Sequence, residues 1–391
     1  MAGQSRLGSL DGLRGAAAFV VVVFHFLSML APRWIPDNGN ELHFFVDTPI
    51  AVLWNGPFAV SVFFVLSGFV IAGVAAKRAE LIFANIVSRY VRLALPVTVS
   101  VVLAWLWLTA FPANADALAR TFAVPPSWLE HTYQAPIPPF ARALADGLVL
   151  NFVNGGSDFN NVLWTMQIEL VGSVGLFLIY AVAGGRTRRV AIGLGLAVLA
   201  TGLAAQFAYL AFALGAILQE LWRRGWHRAQ RAWPAVGAFL AGVGLGGFPD
   251  GAHERLGLPL PLGLESLELG NPGGVAPVLA ATLMLYGVLA SPALGRLFAA
   301  AVPRWLGRLS FPLYLVHVPL LYTIVAEIYL VSGIDIFVLF LVYTAMTVLL
   351  AQIVTLSVEE PTLRVTRWLR AAVAGAGRRQ PSSVTAGQPE N

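Results

Sequence analysis

Cysteine is absent from the chain, which excludes a disulfide framework, a thiolate nucleophile and any cysteine-based metal site. Charge is scarce as well: Asp, Glu, Lys and Arg make up 12% of the 391 residues, where a soluble globular protein carries about a quarter. The six histidines, at positions 25, 43, 131, 227, 253 and 317, form no H-x-x-x-H or H-x-x-E-H spacing, so no metal site is expected. What the chain does have is apolar surface. A hydrophobic content of 58% and a mean hydropathy of +0.74 describe an integral membrane protein.

Windows of about 17 to 25 mainly apolar residues can cross the hydrocarbon core as helices. Ten are expected, at 13–31, 57–76, 91–111, 162–182, 190–205, 206–222, 234–249, 275–294, 309–331 and 337–357. The fold class that follows is an all-α membrane protein, a polytopic bundle of about ten transmembrane helices. The first span has no A-x-A cleavage pattern behind it and is kept as a mature helix. Residues 1–370 read as one transmembrane domain. Residues 371–391, rich in Arg, Gly, Ser and Pro, read as a disordered cytoplasmic tail. Three long outer loops, 32–56, 112–161 and 250–274, carry Pro, Asn, Gly and acids, as loops that meet a polar partner do.

Orientation follows from counting. With the N-terminus in the cytoplasm and alternating spans, four of the 25 basic residues (Arg33, Arg120, Arg142 and Arg255) fall outside and the other 21 inside. That is the positive-inside bias, so the net charge of +5 reports topology and not nucleic-acid binding, and both termini are placed in the cytoplasm.

Several polar constellations interrupt the apolar spans. In the stretch 10–26, Arg14 and His25 stand eleven residues apart, about three helical turns. They share one face to within roughly 20° and differ in depth by about 16 Å. A bilayer tolerates both poorly outside a protected cavity. Ser67 and Gly68, in Phe63-Phe64-Val65-Leu66-Ser67-Gly68-Phe69, allow a ligand or another backbone to come close. No G-x-S-x-G elbow marks Ser67 as a nucleophile.

Arg89 and Arg92, followed by Pro96, lie where the third span begins. Spacing i, i+3 puts both guanidinium groups on one face near a helix N-terminus, a fit for phosphates. Glu169, in the run Trp164 to Glu169, sits about 10 Å below the start of its span. A carboxylate there needs a partner, for which Arg14 or a protonated His25 is expected. Glu327 lies nearer the outer boundary and is expected to reach water. His317 is expected to be a packing histidine bonded to a neighbour, and Pro319 frees a carbonyl one turn back that must find another donor.

Taken together, R-x10-H at Arg14 and His25, the FFVLSGF stretch, R-x-x-R with its following Pro, W-T-x-x-x-E at Trp164 to Glu169, and L-G-R-L-S-F-P-L-Y-L-V-H-V-P at 306–319 resemble the acyltransferase 3 family in order and spacing. The resemblance implies a bacterial-type inner-membrane enzyme. Such an enzyme moves an acyl group, usually acetyl, from cytosolic acyl-CoA to a hydroxyl of a glycan or related acceptor. It also implies that His25 is catalytic, that Arg14 is essential with it, and that Arg89 and Arg92 lie where acyl-CoA comes in. Many members continue the glutamate block with acidic and aromatic residues, where this chain has Leu170, Val171, Gly172 and Ser173.

Acyl transfer from a thioester to an alcohol needs a base, an oxyanion donor and exclusion of water. His25 suits the base, acting on the acceptor hydroxyl or taking the acyl group itself. Arg14 is too deep to serve as oxyanion donor there and is assigned to the CoA end or to a salt link with Glu169. A polytopic transporter of a small polar or glycosylated substrate is the rival class, because buried charges and a mid-span histidine also describe a proton-coupled carrier. Carriers commonly show repeated halves, and the sequence has no internal repeat.

Overall fold

The computed structural model describes residues 2–31, 48–77, 81–121, 136–183, 192–193, 206–226, 232–247 and 274–376, and among them there is helix and no strand. The main helices are α1 (Ala2–Leu30), α2 (Gly56–Lys77), α3 (Ile82–Ala110), α4 (Trp164–Val182), α5 (Gln206–Arg223), α6 (Ala232–Gly247), α7 (Val275–Ala290), α8 (Ala301–Leu320) and α9 (Ile336–Val354). α8 runs on through a π turn to Ser332, and α9 through another to Ala376.

Six described helices are long and apolar enough to cross a membrane. A seventh is added if the bent pair Val275–Ala290 and Pro292–Phe298 counts as one span. The count of ten is therefore approximate, for reasons that differ by helix. Most of 190–205 lies outside the described residues. The polar ends of α5 (Gln206, Gln219, Glu220, Arg223) dilute its apolar middle, and α6 has only 16 residues. α7 stops at Ser291, where the chain turns by 100° into Pro292, which cannot donate to the preceding turn.

Small residues set the closest helix contacts. A Cβ on Gly15 would lie 2.4 Å from the Gly307 nitrogen, and one on Gly307 would lie 2.1 Å from the Asp11 oxygen, so α1 and α8 touch backbone to backbone. Arg14 meets Gly307 and His25 meets His317, so these two helices run parallel. α2 and α4 also run parallel and are tied by Ser67 and Glu169, whereas α6 and α7 are antiparallel, with Gly242 against Ala280 and Gly287 against Ala235. These directions agree with alternating passage of the expected spans.

Part of the expected outer loop 112–161 is instead a descending segment. Phe140–Ala145, a π turn Asp146–Leu150 and Asn151–Asn154 follow one another without a break. Trp105 donates to Pro138 O, Gly147 abuts Thr98, and Tyr90 donates to Leu148 O, so the segment lies antiparallel along most of α3. Leu148, Val149 and Val153 stay exposed on its outer side. The chain then turns at Gly155, whose φ of 71° suits glycine, and climbs back to the start of α4.

The climbing strand of chain delivers the donor that Pro319 demands. Leu315 O, one turn before that proline, accepts hydrogen bonds from Ser100 Oγ at 2.7 Å and Asn160 Nδ2 at 2.8 Å. The helix carbonyl left without an N–H is thus satisfied from two neighbouring elements.

Candidate active site

A cavity opens between α1, α2, α3, α4, α8 and the end of α9. Arg14, Ser67, Arg89, Arg92 and Glu169 all line it, although their positions span more than 150 residues of chain. Five sequence-selected residues therefore converge. The remaining walls are hydroxyls (Thr165, Ser310, Tyr314), one further carboxylate (Glu359), and apolar side chains such as Phe63, Phe64 and Phe311.

Arg89 and Glu169 form a salt bridge in which the two side chains are 12% and 11% exposed. Ser67 donates to the other carboxylate oxygen at 2.7 Å, and Arg89 Nε donates to Ser173 Oγ at 3.0 Å. Glu169 thus finds its counter-ion in Arg89 and not in Arg14 or His25. Arg14 turns instead to Asp11 Oδ1 at 3.0 Å and to Gly307 O at 3.2 Å, because parallel packing brings that carbonyl beside it.

Two further expectations are corrected. α3 begins at Ile82, so Arg89 and Arg92 lie two to three turns inside the helix and its free N-terminal N–H groups do not reach them. Gly68 does not line the cavity with Ser67. Its Cβ position is filled by the backbone of Phe212 at 2.2 Å, so it is a packing contact to α5. Glu327, nearer the outer boundary, is half-buried and accepts a hydrogen bond from Asn114 Nδ2 at 2.9 Å.

His25 does not line the cavity. Its ring centroid lies 4.9 Å from that of His317, which lies 5.9 Å from that of Tyr314 on the cavity wall. Three rings therefore lead from the cavity to the upper part of α1. Tyr314 is pinned by donation to Val162 O at 2.7 Å and by a 2.9 Å hydroxyl contact with Thr165.

His317 is fully buried and, as expected, bonded to a neighbour; that neighbour is His25. Tautomers are assigned from the bond partners. His317 Nδ1 donates to Leu313 O at 3.0 Å, which leaves Nε2 of the neutral ring as acceptor for His25 Nδ1 at 3.1 Å. The His25 Nδ1–H is shared with Val21 O at 2.9 Å, so Nε2 keeps the lone pair. An imidazole held by a second group through one nitrogen, with the other nitrogen basic, is the arrangement of a general base and its orienting partner.

Sequence reasoning missed Glu359, Tyr314 and the partnership of the two histidines. The signal for Glu359 was present: two adjacent acids, Glu359 and Glu360, close an apolar run, and successive helix positions point about 100° apart, so one of them can turn inward. Among the described residues no group of His, Asp and Glu could hold a metal ion.

The family model described as an acyltransferase domain matches residues 7–356. The chain is 26% identical to O-acetyltransferase PaAT-1 of Phomopsis amygdali over 430 aligned residues, covering 92% of this chain and 83% of that protein. It is 30% identical to the exopolysaccharide production protein ExoZ of Rhizobium meliloti (strain 1021) over 281 residues, covering 67% of this chain and 75% of that protein. No solved structure matches it. With nearly the whole described bundle inside the matched region, the chain belongs to the acyltransferase 3 family and is a membrane acyltransferase.

Proposed function

We propose that the protein carries an acyl group, acetyl in the first instance, from cytosolic acyl-CoA to a hydroxyl of a surface or exported glycan. The observation that carries this reading is the cavity with three guanidinium groups, Arg14, Arg89 and Arg92, of which Arg14 stands about three turns along α1 from His25, itself hydrogen-bonded to His317 on the parallel helix α8. Phosphates suit guanidinium groups, and the pantetheine arm of CoA is long enough to cover the roughly 16 Å between the two levels of α1. The relatives named for O-acetylation and for exopolysaccharide production support acetyl as the group and a glycan as the acceptor.

In this reading Nε2 of His25 takes the proton of the acceptor hydroxyl as the oxygen attacks the thioester carbonyl. The thiolate of CoA leaves, and the imidazolium returns the proton to it. His317 accepts the hydrogen bond from Nδ1 throughout and fixes the ring. Arg14 and Arg92 hold the donor's phosphates, and Arg89 is kept in place by Glu169 and Ser173. The bias of basic residues supports both termini at the cytoplasmic face of the inner membrane, with the Arg14 end of α1 toward the CoA pool.

The test is CoA release by purified protein in lipid nanodiscs, supplied with acetyl-CoA and a bacterial surface polysaccharide. Release that requires the polysaccharide, is abolished by His25→Ala and is slowed by His317→Gln supports the reading. Counterflow of labelled saccharide without CoA release refutes it in favour of a carrier.

A further inference from the structure

The two halves of the cavity differ in how their polar atoms are satisfied. On one side Glu169 serves Arg89 and Ser67, and Arg89 also reaches Ser173. On the other, Arg14 Nε and Glu359 Oε2 are buried without a hydrogen-bond partner. Arg92, between them on the cavity wall, makes no ion pair within 4 Å among the described residues.

Glu359 ends the π turn Thr355–Glu359 and is 8% exposed, whereas Glu360, the next residue, has a side chain that is 48% exposed. The π turn holds one residue more than an α turn, which rotates the side chains that follow and brings Glu359 to face the cavity. Leaving a buried carboxylate oxygen unbonded is costly, and the packing around it supplies no donor. A chamber made for an anion alone would gain from losing this carboxylate, because its charge opposes that of the nearby guanidinium groups. The carboxylate makes sense when the occupant brings an N–H or O–H group next to its anion.

We propose that Glu359 recognises the acyl donor: its Oε2 accepts a hydrogen bond from an N–H or O–H of that molecule, while Arg14 and Arg92 meet the donor's anionic group. The inference rests on the acyl-CoA reading above. Such a molecule offers the hydrogen from two places, the amides and hydroxyl of the pantetheine arm, or the adenine amine and ribose hydroxyl of the nucleotide.

The experiment compares the steady-state kinetics of wild type, Glu359→Leu and Glu359→Gln with acetyl-CoA and with S-acetyl-phosphopantetheine, which lacks the nucleotide. Glu359→Leu is expected to raise KM for acetyl-CoA by about tenfold or more, the worth of a hydrogen bond to a charged group, with kcat within about twofold. Glu359→Gln keeps a carbonyl acceptor and is expected to raise it by about threefold. An equal rise with the short donor assigns the partner to the pantetheine arm, and a rise confined to acetyl-CoA assigns it to the nucleotide. Unchanged KM with both donors, or a fall in kcat at unchanged KM, overturns the inference. Should the leucine variant fail to fold, the isosteric Glu359→Gln decides by the same criterion. A wild type that releases CoA from neither donor removes the functional reading and this inference together, while an active wild type with insensitive variants removes this inference alone.

Discussion

Replacing Glu169 by leucine leaves the guanidinium of Arg89 in a site where only about a tenth of either side chain is exposed. Breaking a buried ion pair from one side costs about 3–5 kcal/mol, and the Ser67 hydroxyl loses its acceptor for about 1–3 more. For a 391-residue chain with an unfolding entropy of roughly 2.1 cal/mol/K per residue, each kcal/mol shifts the midpoint by about 1 °C. Glu169→Leu should therefore lower the apparent melting temperature in detergent, followed by tryptophan fluorescence, by roughly 5–10 °C. The double variant Arg89→Leu/Glu169→Leu holds no stranded charge and loses only the acceptor of Ser67, so it should melt within about 4 °C of the parent protein. The coupling between the two positions is then at least about 3 kcal/mol. If the two single effects simply add in the double variant, the pair is not the buried, mutually dependent unit described above, and the reasoning fails.

Two further outcomes follow from the backbone. Asn160→Ala should destabilise by about 1–2 kcal/mol by taking one of the two donors from Leu315 O, and adding Pro319→Ala, which restores the helix N–H, should recover most of the loss. Gly15→Val should cost about 3 kcal/mol or more, seen as lost monodisperse protein in size-exclusion chromatography, because the added carbons meet the backbone of Gly307 at 2.4 Å.

Much of the site was legible in the sequence because each block carried its own local constraint. Arg14 and His25 share a face by helical period alone, and Pro319 announces an unsatisfied carbonyl whatever the fold. The pairing of charges was not legible. Glu169 could be matched with any cation at its depth, and only the arrangement of α3 against α4 selects Arg89 over Arg14.

The descending segment 140–154 escaped for a different reason. Arg142 and Asp146 break its apolar run, and they are tolerated because each has a partner, Asp158 for the first and the Ser157 hydroxyl for the second. Window hydropathy counts Asp146 as exposed although it is buried against Ser157, whereas Arg142 does stay exposed beside Asp158. The same blindness hid Glu359, a surface acid by composition and a cavity wall in the structure.

The row of rings has a consequence for how turnover is timed. Tyr314 lines the arginine-lined chamber and lies against His317, so under the function proposed above the way from a thioester in that chamber to His25 runs past this phenol. Letting go of Val162 and Thr165 forfeits two uncharged hydrogen bonds, about 1–3 kcal/mol. A reaction turning over about ten times a second climbs roughly 16 kcal/mol. Moving that ring would be cheap on that scale, and leaving it in place would hold the two ends of the proposed reaction apart between turnovers.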